Sequence, residues 1–115
     1  MSKREWRVYV EDVLESIALI QDYTEGMEFV DFKKDRKTID AVVRNFEIIG
    51  EASKFIPEDV RKRHQEIDWR GIVGLRNRIA HEYFDVSASV IWQIVKDELP
   101  TLGEQMKQIL TKAHR

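Results

Sequence analysis

Apolar residues recur along this chain at three- and four-residue steps, which is the spacing of one face of an α-helix. The first stripe comprises Trp6, Tyr9, Val10, Val13, Leu14, Ile17 and Ile20. The second comprises Ile39, Val42, Val43, Phe46, Ile49, Ala52 and Phe55. The two stripes predict two amphipathic helices, each with one face turned towards a common core.

The ends of these two helices carry recognisable signals. Ser2 and Glu5 have the spacing of a capping box at the start of the first helix, and Gly26 is its expected stop. Pro57 is expected to close the second helix, because the residue before a proline avoids the helical region. Gly50 lowers the helix propensity of the second stripe by about 1 kcal/mol, so we expect another helix to approach closely there.

The rest of the chain also predicts helices. Residues 27–32 and 58–64 predict short helical turns or loops, and a third main helix is expected to follow Asp68. The last helix is expected to begin near Ser87 and to kink at Pro100, which removes an internal hydrogen bond. Its apolar positions are Val90, Ile91, Ile94, Val95, Leu99, Leu102, Met106, Ile109 and Leu110. No run alternates long enough to predict a strand, so we expect an all-α bundle of four main helices plus short helices.

Length and composition limit the kind of protein further. The 115 residues are expected to form a single domain over 1–115. Because the chain has no cysteine, disulfides, a thiol nucleophile and a cysteine-based zinc site are excluded. No stretch approaches the ~18 apolar residues of a membrane span, and the charged N-terminus does not resemble a signal peptide. We therefore expect a cytoplasmic protein without a membrane partner.

The net charge of the chain is −2, but the charged residues are distributed unevenly along it. Residues 1–32 carry three basic and eight acidic side chains, whereas residues 54–81 carry seven basic and four acidic ones. Proteins that bind duplex nucleic acid over a broad face are usually more basic overall. The local excess over 54–81 fits either a cationic cleft that binds a phosphate or a solvated helix face.

The segment 71–83 separates into two faces on a helical wheel. One face is apolar, and its residues fall within about 80° of one another. They are Ile72, Leu75, Ile79 and Tyr83. The other face combines two cations, an amide, an imidazole and a glycine, and it consists of Arg70, Gly74, Asn77, Arg78 and His81. A solvated helix face more often carries Glu and Lys pairs, so this combination indicates a site.

These side chains suit cleavage of a phosphodiester without a metal. His81 can transfer a proton near neutral pH, and the guanidinium groups of Arg76 and Arg78 match phosphate oxygens. Asn77 lies one turn before His81 and can hydrogen-bond the imidazole or a substrate hydroxyl. However, Arg76 and His81 lie about 140° apart on a straight helix. Either the helix bends near His81, or a second copy of the chain completes the site.

The pattern Arg76-Asn77-x-x-x-His81-x-Tyr83 resembles the signature of the HEPN superfamily, specifically its HepT-like toxin branch. The resemblance covers nearly the whole chain, and it extends to the segments 9–12, 40–45, 48–52, 74–77 and 97–100. It implies a HEPN-type helical bundle that forms a homodimer, with paired motifs lining a cleft at the interface. It also implies a metal-independent endoribonuclease that needs no cofactor.

The resemblance further implies a partner and roles for individual residues. The protein would be the toxin of a type II-like toxin–antitoxin pair that cleaves RNA, with tRNA as one candidate. Arg76, Asn77 and His81 would be catalytic. A minimal nucleotidyltransferase antitoxin would bind the toxin and adenylylate Tyr83. The alternative is a non-catalytic subunit that binds a nucleotide or substrate for a separate nucleotidyltransferase.

Other residues have plainer interpretations. Arg70 and Arg78 are expected to help bind RNA. His64 and His114 are expected at the surface, and Trp6, Trp69 and Trp92 are expected to be core or interface anchors. The basic run 33–37 is expected to be a solvated helix start. His81, Glu82 and Asp85 are a poor ligand set, so no metal site is expected.

Overall fold

The computed structural model describes residues 5–75, 77–78 and 88–113, and every regular element within them is helical. The α-helices are α1 (Trp6–Thr24), α2 (Phe29–Phe32), α3 (Arg36–Lys54), α4 (Glu58–Lys62), α5 (Trp69–Val73), α6 (Ala88–Gln93) and α7 (Leu99–Ala113). A π-helical turn, Ile94–Glu98, joins α6 to α7. The all-α prediction is confirmed. Ser2, Ile79, Ser87 and His114 lie outside the described residues.

Two long helices, α1 and α3, form the centre of the packing, and α7 lies against α1. The predicted stripes are the buried faces of these helices, since Val10, Val13 and Ile17 of α1 and Phe46 and Ile49 of α3 are buried. Phe55 is the exception: its side chain is 58% exposed. It follows the last residue of α3, and its ring stacks on Tyr9 with the centroids 5.2 Å apart. The prediction that Phe55 continues the buried stripe is therefore wrong, because the helix has ended.

Helix ends follow local side-chain chemistry. α1 ends at Thr24, and Gly26 then adopts a φ of +77°, a conformation that glycine adopts without steric cost. Asp35 caps α3 by accepting hydrogen bonds from the Thr38 backbone N–H at 3.0 Å and from the Thr38 hydroxyl at 2.8 Å. These two hydrogen bonds hold the pKa of Asp35 below its usual range. Glu5 occupies the N-cap position of α1 without a side-chain cap, so it cannot be the third residue of a capping box.

Pro100 is the second residue of α7, which follows directly after the π-helical turn. A proline has no N–H to donate, and its ring crowds the carbonyl one turn earlier. Immediately before it, the Leu99 N–H donates to the carbonyl of Ile94, five residues back, so the turn widens. The chain thereby continues into α7 with the apolar face of residues 99–109 still buried.

Gly50 permits the close approach that its position in α3 predicts. A Cβ atom built on Gly50 would lie 3.3 Å from the carbonyl oxygens of both Ile72 and Val73 in α5. Both neighbours are backbone atoms, which cannot rotate away as a flexible side chain would. The missing side chain of Gly50 therefore sets how closely α5 packs on α3.

We expect Gly50→Val to push α5 away from α3. The larger side chain should lower the free energy of unfolding by roughly 1–3 kcal/mol, the usual effect of overpacking. Denaturant unfolding followed by circular dichroism measures this loss. Gly103→Val is the matched control, because a Cβ there meets only the Ile17 side chain, at 3.7 Å. Equal losses in the two variants would contradict the prediction.

No helix among the described residues is both long and apolar enough to cross a membrane.

Candidate functional site

The segment that carries the predicted site chemistry begins with α5, but only part of it is described. Arg70, Asn77 and Arg78 are described. The residues of the motif and its neighbourhood that lie outside the described residues are Arg76, His81, Glu82, Tyr83 and Asp85. The geometry of the site is therefore built from Arg70, Asn77 and the elements that pack around them.

Three features anchor α5. Asp68 caps its first turn by accepting from the Gly71 N–H at 3.1 Å. The indole N–H of Trp69 donates to the carbonyl of His64 at 3.0 Å. Ile72 and Leu75 are buried, as the apolar face of the wheel predicts. Because its cap, its first side chain and its apolar face all hold α5 in place, Arg70 projects from a fixed helix.

The helix that we expected to run unbroken from residue 69 is interrupted at Gly74. α5 ends at Val73, and Gly74 has a φ of −82° and a ψ of 1°. Helical hydrogen bonding resumes at the break, since the Arg78 N–H donates to the carbonyl of Gly74, four residues back, at 3.0 Å. A helical wheel, which assumes a straight and unbroken helix, is therefore only an approximation for residues 75–78.

Arg70, Gly74 and Asn77 line one groove, which we call the α3–α5 groove. Its other lining residues come from α3, α4 and α5 and are Glu47, Gly50, Glu51, Lys54, Arg61, Trp69 and Val73. The groove has a volume of about 650 Å³, within the usual range for ligand sites. The prediction that Arg70, Gly74 and Asn77 share one face is confirmed.

Arg78 does not share that groove. Its Nη2 atom lies 3.1 Å from Oε2 of Glu98, and it lines a separate cavity of about 280 Å³ between α5 and α7. Arg78 is one residue beyond Asn77 and so lies about 100° further round the helix. Glu98 then draws the guanidinium towards α7. Placing Arg78 on one face with Arg70 and Asn77 was therefore wrong.

The sequence did not identify two cations of the α3–α5 groove, Lys54 and Arg61. Lys54 lies 3.4 Å from Glu51, its neighbour one turn back. The Nε atom of Arg61 is buried and has no hydrogen-bond partner. Arg61 stands in sequence beside Lys62 and Arg63, and no local pattern distinguishes the three. Only the tertiary fold, which brings Arg61 to the groove lined by α3 and α5, selects it.

His64 is buried, so its predicted place at the surface is wrong. Only 6% of the residue is exposed, and its Nδ1 atom lies 3.5 Å from the carboxylate of Glu66. The backbone turns tightly here, with the His64 N–H bonded to Arg61 and the His64 carbonyl bonded to the Ile67 N–H. His64 is thus buried, and its backbone carbonyl accepts the hydrogen bond from the Trp69 indole N–H at the start of α5.

Two other predictions from the sequence are confirmed. Trp6, Trp69 and Trp92 are partly buried and pack against the core, as anchors would. The basic residues of the run 33–37 are exposed, from the end of α2 to the first turn of α3. Over residues 5–75, 77–78 and 88–113, no three His, Cys, Asp or Glu side chains come together as a metal site.

The groove can hold an anion beside an amide. Arg70 and Arg61 present guanidinium groups that match phosphate oxygens, and Asn77 adds both a donor and an acceptor. Of the described residues, no carboxylate pairs with either Arg61 or Arg70, whereas Glu47 lies 3.5 Å from Arg44. The arrangement therefore favours a phosphate-bearing ligand.

Comparisons with known proteins agree with this chemistry. The profile of the family described as "Ribonuclease HepT-like" matches residues 13–109. "Probable ribonuclease HepT" from Thermococcus cleftensis is 43% identical over 107 residues, which cover 93% of this chain and 97% of that protein. "Putative RNase TTE0752" from Caldanaerobacter subterraneus is 40% identical over 106 residues, which cover 92% and 95%. "Putative RNase MJ0127" from Methanocaldococcus jannaschii is 37% identical over 110 residues, which cover 96% and 91%. No solved structure matches the chain.

Proposed function

The chain belongs to the ribonuclease HepT-like family, and we propose that it is a metal-independent endoribonuclease. The observation that carries the proposal is the α3–α5 groove, where Arg70 and Asn77 of the motif region meet further cations. Proteins named as ribonucleases match the chain over nearly its whole length, and the groove offers the phosphate-binding groups that such a reaction requires.

In this proposal each motif residue has one task. His81 takes the proton from a ribose 2′-hydroxyl, and the freed oxygen attacks the adjacent phosphorus to form a 2′,3′-cyclic phosphate. The bond to the 5′-oxygen breaks, and this oxygen leaves as a hydroxyl after it takes up a proton from His81 or from water. Arg76 stabilises the negative charge that grows on the phosphate, and Asn77 orients the imidazole or the hydroxyl. Arg70, which is exposed in the groove, binds the RNA backbone.

A second copy of the chain completes the site in our proposal. On a straight helix Arg76 and His81 would lie about 140° apart, and the interruption at Gly74 precedes both residues. A two-fold axis beside the motif would bring Arg76 of one copy towards His81 of the other. The protein would then act as a homodimer with 1–115 as one domain in each copy.

We further propose that the enzyme is the toxin of a toxin–antitoxin pair and acts in the cytoplasm on RNA such as tRNA. Its antitoxin would be a minimal nucleotidyltransferase that adenylylates Tyr83. The motif that carries Tyr83 supports this assignment, since the tyrosine stands two residues after the proposed catalytic histidine. An added nucleotide would carry negative charge to a cationic site.

The direct test is to incubate the purified protein, confirmed by mass to be unmodified, with total tRNA in EDTA. We expect the RNA to be cleaved, because no step of the proposed reaction uses a metal. Intact RNA would instead favour a non-catalytic subunit that binds nucleotide for a separate nucleotidyltransferase. That subunit should show activity only after its partner is added.

We expect Arg70→Ala to weaken RNA binding more than Arg78→Ala does. Arg70 lines the groove. Because Arg70→Ala removes a charged hydrogen bond to phosphate, it should raise the Kd about tenfold. Arg78 is already paired with Glu98 and lines another cavity, so its removal should raise the Kd by about twofold or less. Fluorescence anisotropy with a labelled RNA measures both values. A larger effect at Arg78 would contradict the placement of RNA in the groove.

A further inference from the structure

Glu47 is a half-buried carboxylate that lines the α3–α5 groove from the middle of α3. Among the described residues its side chain has one partner, Nη1 of Arg44, at 3.5 Å. That separation exceeds the roughly 2.7–2.9 Å of a strong charged hydrogen bond, and Arg44 does not itself line the groove. The Glu47 oxygens therefore keep most of their capacity to accept hydrogen bonds from a ligand.

The groove presents both signs of charge to that ligand. Arg70, which is exposed on α5, suits a phosphate, whereas the carboxylate of Glu47 on α3 would repel one. Glu47 therefore requires a part of the ligand that donates hydrogen bonds. A nucleotide of single-stranded RNA supplies both parts, because its phosphate is anionic and the edge of its base carries N–H donors.

The remaining lining of the groove also suits a base. Trp69 and Val73 add apolar surface, and both are partly buried there. The volume of about 650 Å³ lies within the range of sites that hold small ligands, so a base and its phosphate fit together. The groove is thus suited to a whole nucleotide rather than to a phosphate alone.

Guanine is the RNA base whose edge matches a carboxylate. Its N1–H and its N2 amino group are neighbouring donors that point the same way, so two carboxylate oxygens accept from both at once. Adenine and cytosine have a ring-nitrogen acceptor beside their amino group, and uracil has a carbonyl on each side of its N3–H. A carboxylate repels these acceptors, so it selects guanine.

We infer that the α3–α5 groove binds a guanine base of the RNA, and that Glu47 accepts hydrogen bonds from its N1–H and N2 amino groups. This inference rests on the proposed ribonuclease function and adds a base preference to it. Glu47 determines sequence specificity, whereas Arg70 binds the phosphate of any sequence.

Glu47→Gln is the decisive variant, and Glu51→Gln is its matched control. Glutamine keeps the shape and the helix propensity of glutamate, but its amide group turns a donor towards one of the two guanine donors. Glu51 lies one turn further along α3 and lines the same groove, where the ammonium of Lys54 already donates to it at 3.4 Å. The two variants therefore remove the same charge from the same groove.

The experiment measures binding of fluorescein-labelled oligouridines by anisotropy, with the full chain carrying His81→Ala in EDTA so that no RNA is cleaved. The oligonucleotides differ at one central position, which is guanosine, inosine or adenosine. We expect guanosine to bind about tenfold more tightly than inosine, which lacks only the N2 amino group. Glu47→Gln should reduce this preference to about twofold or less, and Glu51→Gln should preserve it.

Tighter binding of the guanosine RNA by Glu47→Gln would overturn the inference, because a carboxylate that only repels phosphate gives that result. Equal loss of preference in Glu47→Gln and Glu51→Gln would also overturn it. A melting temperature for each variant detects misfolding, and if Glu47→Gln fails to fold, the comparison of guanosine with inosine on protein that keeps Glu47 decides the question. Wild-type protein that neither binds nor cleaves RNA would overturn the proposed function, whereas cleavage with equal binding of the three RNAs would overturn only this inference.

Discussion

Replacing His81 with alanine is expected to abolish RNA cleavage. His81 is the group of the motif whose ordinary pKa allows it to take and return a proton near neutral pH. Loss of a general base or acid lowers the rate by about 10²–10⁴-fold. Initial rates on total tRNA at neutral pH and in EDTA, with equal amounts of the two proteins, measure the loss. Toxicity on induction in cells should disappear in parallel.

The matched control for this experiment is His114→Ala, which removes a histidine from the end of the chain outside the motif. It should cleave RNA at the wild-type rate. His64 would be a misleading control, because it is buried and its replacement would disturb the packing around it. Cleavage by His81→Ala within a few-fold of wild type would remove His81 from the proposed mechanism.

The long helices could be predicted from the sequence because each buries a regular face over several turns. α1 and α3 are nineteen residues long each, and their apolar stripes cover most of that length, so the period is well determined. The same argument explains the failure at Phe55, which follows the last turn of α3. Beyond the end of the helix, the helical period no longer determines which way a side chain points. The Phe55 ring therefore stacks on Tyr9 at the surface.

The positions of the site residues could be predicted only where residues close in the sequence determine them. Arg70, Gly74 and Asn77 recur at three- and four-residue steps, and the helix turns them to one side. Arg78 is directed by Glu98, twenty residues away, so no local pattern could place it. Arg61 lines the groove beside residues of α3 and α5, and His64, three residues further on, is buried. Such contacts depend on tertiary packing.

Adenylylation of Tyr83 is expected to abolish the ribonuclease activity. The phenol oxygen would attack the α-phosphorus of ATP and release pyrophosphate, which leaves a bulky, negatively charged AMP group on the tyrosine. Because Tyr83 lies two residues after His81, that group would stand beside the cations that bind the RNA phosphate. It would both block the groove and repel the substrate. Incubation with ATP and a minimal nucleotidyltransferase, followed by a cleavage assay and intact mass, measures modification and activity on the same sample.

The control for this prediction is Tyr83→Phe, which cannot accept the nucleotide and should keep after treatment whatever activity it had before. Wild-type protein treated with the nucleotidyltransferase in the absence of ATP should also remain active, which separates covalent inhibition from inhibition by simple binding. Full cleavage by protein that mass shows to be completely adenylylated would rule out this form of control. A loss of activity that follows the fraction of modified Tyr83 would instead support inhibition by the modification itself, which adds bulk and negative charge.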